Sequence, residues 1–207
     1  MGTLAPVGGR DCGDCTVCCI VPAIDDPDIQ KRSGTRCRHC RAADADTDHT
    51  AGCTAYSTRP GVCRTFYCAW RLLPEMGEHW RPDRARVYAT LEDITQSDLD
   101  STAVTLMLTG DAASTVQAPW FLDFVHVRAL AGAPMFLAIP GPPGHKPVRV
   151  ILPLPAMLSA ARTGSARLQA VLAQAVAFLA ANPMGEHILT HTGHDVSAHD
   201  LTHDAGP

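Results

Sequence analysis

The clustering of cysteine constrains this chain more than any other feature of its sequence. Nine cysteines lie between residues 12 and 68, and none follows residue 68. The same stretch is rich in Gly, Pro, Asp and Arg, and no apolar period of a helix or strand persists through it. The nine are Cys12, Cys15, Cys18, Cys19, Cys37, Cys40, Cys53, Cys63 and Cys68. We therefore predict that this part of the chain is built around bound metal.

Disulfides are the alternative explanation for so many cysteines. The N-terminus lacks the charged start and apolar stretch of a secretory signal peptide. The longest apolar run, 168–181, contains two glutamines and is too short to cross a bilayer. We therefore expect a cytoplasmic protein, whose thiols stay reduced. Because the count is odd and the spacings are those of metal ligands, metal is the favoured interpretation.

The first four cysteines follow the spacing C-x-x-C-x-x-C-C. A CxxC turn brings two thiolates to one ion while backbone N–H groups point at the sulfurs, and zinc ribbons and iron–sulfur loops both use it. Cys12, Cys15 and Cys18 match the start of a ferredoxin-type run, but Pro22 stands where its fourth cysteine is expected. Since side chains of successive residues diverge, only one of Cys18 and Cys19 is expected to continue the series.

The remaining cysteines supply a second set of ligands. Cys37 and Cys40 form another CxxC, and Cys53, Cys63 and Cys68 can complete it. His39, inside the CxxC, is expected to donate to a sulfur rather than to bind metal. Eight thiolates would close two four-coordinate sites and leave one cysteine free, so we predict two sites or one polynuclear site.

Arginine is the residue that most often flanks these cysteines. A zinc ion held by four thiolates carries a charge of about −2, and arginine can donate to sulfur without losing its own charge. The flanking residues are Arg10, Arg36, Arg38, Arg41, Arg59, Arg64 and Arg71. As a group they are expected to stabilise the thiolates.

The cysteine segments resemble a known family. They read CGDCTVCC from Cys12, CRHC from Cys37, and GCTAYSTRPGVCRTFYCAW from Gly52 to Trp70. This pattern is similar to the CxxCxxCC family of zinc- or iron-chelating, YkgJ-type cysteine-cluster proteins, over about residues 10–72. The resemblance implies a bacterial, cytosolic metal-chelating protein. Its motif also includes His39, Tyr56, Arg59 and Arg64, which we expect around the ligands, and Phe66 and Trp70, expected with Tyr56 to exclude water.

The hydrophobic pattern of the sequence changes from Arg86 onward. Alternating apolar residues predict strands at 86–92, 103–109, 120–130, 134–140 and 147–153, with Ala131-Gly132 turning the third into the fourth. Helices are predicted from Pro155 to Gly164 and over 166–181, the second with Ser165 as N-cap. The fold class predicted is α+β: an irregular cysteine-rich metal module packed on an antiparallel sheet, with C-terminal helices.

Three regions are predicted along the chain. Residues 1–80 are the cysteine-cluster module, 81–184 the sheet and helices, and 185–207 a His-rich tail expected to be flexible. The tail histidines include two pairs spaced i, i+4, which suits either weak metal capture or a solvated tail. They are His187, His191, His194, His199 and His203.

Metal binding is the predicted function, and its purpose stays open. The first alternative is chelation of zinc or iron; the second is an iron–sulfur cluster with a redox or accessory role for a larger enzyme. The third is a scaffold with structural zinc that binds a partner protein. No acid–base pair or nucleophile stands out, and His126 is expected to be a core or edge residue of a strand, so stand-alone catalysis is not expected. A net charge of −4 gives no reason to bind nucleic acid or an acidic membrane.

Overall fold

The computed structural model describes residues 4–43, 51–96 and 99–183. The His-rich segment 185–207 with its five histidines lies outside these ranges, as does most of the polar stretch 42–52. The described strands are β1 (Ile24–Asp26), β2 (Ile29–Lys31), β3 (Cys40–Arg41), β4 (Gly52–Cys53), β5 (Val87–Gln96), β6 (Leu99–Leu108), β7 (Met135–Ile139) and β8 (Val148–Leu152). The described α-helices are α1 (Gly61–Thr65), α2 (Ala69–Leu72), α3 (Pro82–Ala85), α4 (Ala112–Thr115), α5 (Pro119–Leu130), α6 (Leu154–Thr163) and α7 (Ser165–Ala181). Short 3-10 helices occur at Val17–Cys19, Tyr56–Thr58 and Glu78–Trp80.

The main sheet has four strands in the order β5-β6-β7-β8. Strands β5 and β6 are antiparallel, with Val87 opposite Leu108, and β7 and β8 are antiparallel, with Leu137 opposite Val150. The central pair, β6 and β7, is parallel. The α+β class is confirmed, but the main sheet is mixed where an antiparallel one was predicted.

The strand predicted at 120–130 is wrong, because these residues form helix α5. Pro119 occupies the first turn of the helix, where its missing N–H costs nothing. Phe121, Val125 and Ala129 repeat at the helical spacing of four and are fully buried. Because β6 and β7 are parallel, the chain needs a crossover between them, and α5 lies in it. The hairpin at Ala131-Gly132 is therefore also absent, and His126 is a half-buried helical residue.

The two C-terminal helices agree with the sequence prediction. Helix α6 ends where Gly164 follows it, and α7 ends before Asn182. The apolar stripe of α7 includes Leu168, Leu172 and Leu179, which are buried in the main core. Helices α5, α6 and α7 thus cover one face of the sheet.

The opposite face of the sheet carries the cysteine-containing segments. Tyr88 on β5, Met107 on β6 and Ala138 on β7 point to this face and pack against Val17 and Cys18. The segments are held mainly by turns and by two short antiparallel pairs, β1–β2 and β3–β4. The sheet therefore lies between the helices and the cysteines.

The segment after the last cysteine returns to the main core. Trp70, Met76 and Trp80 are buried there, and the Trp80 ring lies 4.6 Å from that of Trp120 and 4.7 Å from that of Phe124. Arg10 fixes the N-terminal segment of the chain to this segment by donating to the carbonyls of Trp70 and Leu73. Among the described residues, none of the helices has the length and apolarity needed to cross a membrane.

Candidate metal centre

Eight of the nine cysteines line one pocket of about 290 Å³. Its lining cysteines are Cys12, Cys15, Cys18, Cys19, Cys37, Cys53, Cys63 and Cys68. Cys40 is not in the lining, but its side chain hydrogen-bonds to that of Cys19. All nine cysteines carry free thiols. The fold thus gathers cysteines from four separated stretches of the sequence.

Turns position the four cysteines of the CxxCxxCC segment. The N–H of Cys15 donates to the carbonyl of Cys12 at 2.8 Å, and Cys18 and Cys19 lie in the 3-10 helix Val17–Cys19. The N–H of Cys37 donates to the carbonyl of Cys19 at 2.8 Å. This bond joins the CxxCxxCC segment directly to the second CxxC.

Short elements position the other cysteines. Cys40 on β3 lies opposite Cys53 on β4. Cys63 lies in helix α1, and Cys68 is the N-cap residue of α2. The four-residue gap between Cys63 and Cys68 therefore spans the end of α1 and the connection to α2.

Backbone N–H groups point at several sulfurs. The N–H of His39 lies 3.4 Å from the sulfur of Cys37, two residues before it. In the same way, the N–H groups of Val17, Ala55 and Trp70 donate to the sulfurs of Cys15, Cys53 and Cys68, each two residues earlier. Each of these hydrogen bonds lowers the pKa of its thiol. Burial outweighs them and raises the pKa of all three, that of Cys15 to about 11. Donors aimed at sulfur favour the thiolate, which is the form that binds metal.

The electrostatic neighbours of each thiol separate two groups. Burial raises the pKa of Cys68, and the charge of Cys12 raises it further. A hydrogen bond to Cys19, burial and the charge of Cys19 raise the pKa of Cys18, and the charges of Cys12 and Cys15 add to this, so Cys18 lies where the two groups meet. We call Cys12, Cys15, Cys18 and Cys68 the first thiol group.

The second thiol group consists of Cys19, Cys37, Cys40, Cys53 and Cys63. Burial raises the pKa of Cys40, Cys53 and Cys63, and the charge of Cys19 raises each of them further. The charge of Cys37 acts on Cys53 and Cys63 as well. The consecutive residues Cys18 and Cys19 thus belong to different groups.

Cations lie beside both groups. The Nη1 of Arg71 is 3.8 Å from the sulfur of Cys12, and the guanidinium of Arg59 stacks 4.1 Å from the ring of Tyr56 at the pocket lining. Lys31 is buried, and its Nζ donates to the carbonyls of Ile20 at 2.7 Å and of Pro22. Its charge reaches Cys37, Cys19, Cys18 and Cys40. Lysine was not predicted here, because its position on β2 carries no cysteine motif.

The other predicted arginines have different roles. Arg38 donates to the carbonyl of Asp28 at 2.6 Å and contacts the ring of His39 rather than a sulfur. Arg36 is exposed, and its charge lowers the pKa of Cys40. Arg41 is exposed, and Arg64 is exposed in the last turn of α1, outside the pocket lining.

Arg81 is a pocket neighbour that the spacing of the motifs did not indicate. Its Nη2 donates to the carbonyl of Cys12 at 3.3 Å, and it pairs with Asp14 and, at 3.1 Å, with Asp83. It therefore ties the CxxCxxCC segment to helix α3. The sequence signal that could have revealed it is only its place at the end of an Arg-rich region.

Aromatic side chains line the pocket. Tyr56, Phe66 and Trp70 all contribute: Trp70 is buried, whereas Tyr56 is 43 % and Phe66 40 % exposed, so these two form its rim rather than a closed cover. Tyr88 was not predicted as a pocket residue, because the alternation of β5 identifies its face but not what covers it. It is buried, and its ring lies 6.2 Å from that of Phe66.

The sulfurs surround the pocket without converging on a point. Among the described residues, no three His, Cys, Asp or Glu side chains lie close enough to hold one metal ion. A tetrahedral zinc needs four sulfurs at about 2.3 Å from it. Rotation of cysteine side chains would therefore have to accompany the binding of any ion.

Comparisons with known proteins add no further assignment. No protein-family model matches the sequence, no curated protein matches it, and no solved structure matches the fold.

Proposed function

We propose that this chain binds zinc or iron through its cysteine thiolates in the cytoplasm, and that chelation is its function. The observation that carries the proposal is the arrangement of eight cysteines, spread over residues 12–68, around one pocket. Cysteines from separate segments are not expected to line one pocket unless they share a role. Their resemblance in spacing to the CxxCxxCC chelating family supports the same conclusion.

The chemistry of the pocket suits a thiolate-bound metal. Sulfur donors select zinc, copper(I) and iron–sulfur centres over magnesium or calcium. Backbone N–H groups approach four of the sulfurs, and Arg71 and Lys31 bring positive charge to the thiols. These donors and charges offset the repulsion between thiolates that are held together.

The second candidate is an iron–sulfur cluster in a redox or accessory protein. One observation favours it: the sulfurs surround a pocket of about 290 Å³ and do not meet at a point. A cluster extends over several atoms and is held by thiolates at its corners, whereas one ion needs them at its centre. Two thiol groups with four and five members fit either two ions or one polynuclear centre.

Anaerobic purification followed by elemental analysis and visible absorption tests the proposal. We expect about two zinc ions per chain, or several iron atoms with inorganic sulfide and a brown colour. A variant with Cys12→Ser, Cys19→Ser and Cys63→Ser leaves three sulfurs in each group and should lose most of the metal. Protein without metal, with its cysteines joined in disulfides, would contradict the proposal.

A further inference from the structure

Tyr88 brings an unpaired hydroxyl into the pocket. The residue is 3 % exposed, and its Oη has no hydrogen-bond partner among the residues that the structure describes. Proteins pair almost all buried polar side-chain atoms, because an unpaired one has lost its water without a replacement. A buried hydroxyl without a partner therefore indicates a group that binds beside it.

The surroundings of Tyr88 show what kind of group that is. Tyr88 lines the pocket, and it belongs to the small apolar cluster against which Cys18 and Cys68 of the first thiol group pack. Strand β5 holds its backbone, and the ring of Phe66 stacks at an angle of 29°. The tyrosine ring is thus held in place in a pocket that cysteines line. A phenol is protonated at neutral pH and donates one hydrogen bond.

We propose that Tyr88 donates its phenolic hydrogen to a metal-bound sulfur of the first thiol group, Cys18 or Cys68, and so tunes the bound centre. The inference rests on the proposed metal-binding function and adds a positioning residue to it. Tyr88 does not bind the metal itself. It pairs with a sulfur once that sulfur is a thiolate, which is a better acceptor than the neutral thiol.

A hydrogen bond to a metal-bound thiolate has measurable consequences. It lowers the energy of the sulfur lone pair, so sulfur-to-metal charge-transfer bands move to higher energy. It also stabilises the thiolate as a ligand, and loss of such hydrogen bonds to metal ligands typically weakens metal binding by about 10- to 100-fold. In an iron centre it raises the reduction potential.

Substitution of Tyr88→Phe in the full chain tests the inference, with cobalt(II) and zinc(II) as probes. The variant keeps the ring that stacks on Phe66 and removes only the hydroxyl. We expect unchanged cobalt stoichiometry, a shift of the sulfur-to-cobalt band to lower energy, and zinc affinity about 10-fold weaker in competition with a chelator. Tyr67→Phe is the matched control, since Tyr67 lies outside the pocket lining, and it should change neither the band nor the affinity.

Thermal unfolding of the metal-free and the zinc-loaded protein shows whether Tyr88 acts on the bound metal or only supports the fold. In the metal-free protein the hydroxyl has no partner, so Tyr88→Phe should be at least as stable as the wild type. In the zinc-loaded protein the same variant should melt lower than the wild type. Equal losses in both forms would show a structural role and overturn the inference.

Failure of the inference and failure of the proposed function give different results. If the wild type takes up metal and Tyr88→Phe shows the same band and affinity, the inference is wrong and metal binding stands. If the wild type binds neither cobalt nor zinc and holds no iron, the proposed function is wrong and the inference with it.

Discussion

The thiol groups of the successive residues Cys18 and Cys19 lie within hydrogen-bonding reach of each other. This contact raises the pKa of Cys18 and lowers that of Cys19 to about 7. It is also the point where the two thiol groups of the pocket meet. Because metal ligands must be thiolates, metal binding at both residues would displace the proton that they share.

Single substitutions at this pair should have unequal effects. Cys18→Ser leaves three cysteines in the first thiol group, whereas Cys19→Ser leaves four in the second. If the groups are separate centres, Cys18→Ser should lose about half of the metal and Cys19→Ser less, because four thiolates complete a tetrahedral site. Elemental analysis of both variants measures this. Equal, complete losses would indicate one polynuclear centre, and full metal content in both would show that neither residue is a required ligand.

Metal affinity should rise with pH. Burial raises the pKa of Cys15 to about 11, so at neutral pH its thiol must release a proton to bind metal. A hydrogen bond from Cys18 lowers the pKa of Cys19 to about 7, so Cys19 releases a proton only below that pH. Zinc competition between about pH 6 and about pH 9 should therefore give a slope that is steeper below pH 7. Cys15→Ser should reduce the slope, and an affinity independent of pH would contradict thiolate binding.

Removal of metal by a chelator should affect the two ends of the described chain differently. The cysteine segments have few buried apolar residues, whereas Trp70, Met76 and Trp80 belong to the main core. After removal of metal we expect protease cleavage before residue 69, while residues 69–183 persist as one fragment. Mass spectrometry of the digest locates the cuts, and metal-loaded protein is the control. Equal resistance with and without metal would show that metal does not hold this region.

The aromatic cluster around Trp80 should dominate the stability of the helix side. Trp80 is 2 % exposed and contacts Trp120, Phe121 and Phe124. Trp80→Ala should lower the free energy of unfolding by about 3–5 kcal/mol in urea denaturation. Val127→Ala on helix α5, where the side chain is 66 % exposed, is the control and should change it by less than about 0.5 kcal/mol. A loss below about 1 kcal/mol for Trp80→Ala would mean that the cluster is loosely packed.

Periodicity predicted most of the fold and failed at one segment. The four strands of the main sheet are short apolar-rich runs, and helices α6 and α7 have terminal Gly and Pro signals, so these strands and helices were all predicted. Segment 120–130 is apolar at nearly every position, so its pattern satisfies a strand and a helix alike. What decides for the helix is the parallel pairing of β6 with β7, a long-range contact that no local pattern contains.

For the candidate site, spacing identified the cysteines but not their surroundings. Eight of the nine line one pocket, as a shared role requires. Tyr88, Lys31 and Arg81 were missed, because each lies in an element without a motif and reaches the pocket only through tertiary packing. Arg64 was selected for its place beside Cys63, but its helix turns it away from the pocket lining.

The position of the pocket against the sheet has a consequence for biosynthesis. The cysteines lie within the first 68 residues, but Tyr88, Met107 and Ala138, on which Cys18 and Cys68 pack, are translated later. Chains emerge from the ribosome N-terminus first, at about 5–20 residues per second. For several seconds the nascent chain therefore exposes all of its thiols before the strands that support them exist. Correct assembly of the pocket has to wait until β7 has left the ribosome, so the metal binding that we propose would be a late event in the synthesis of this protein.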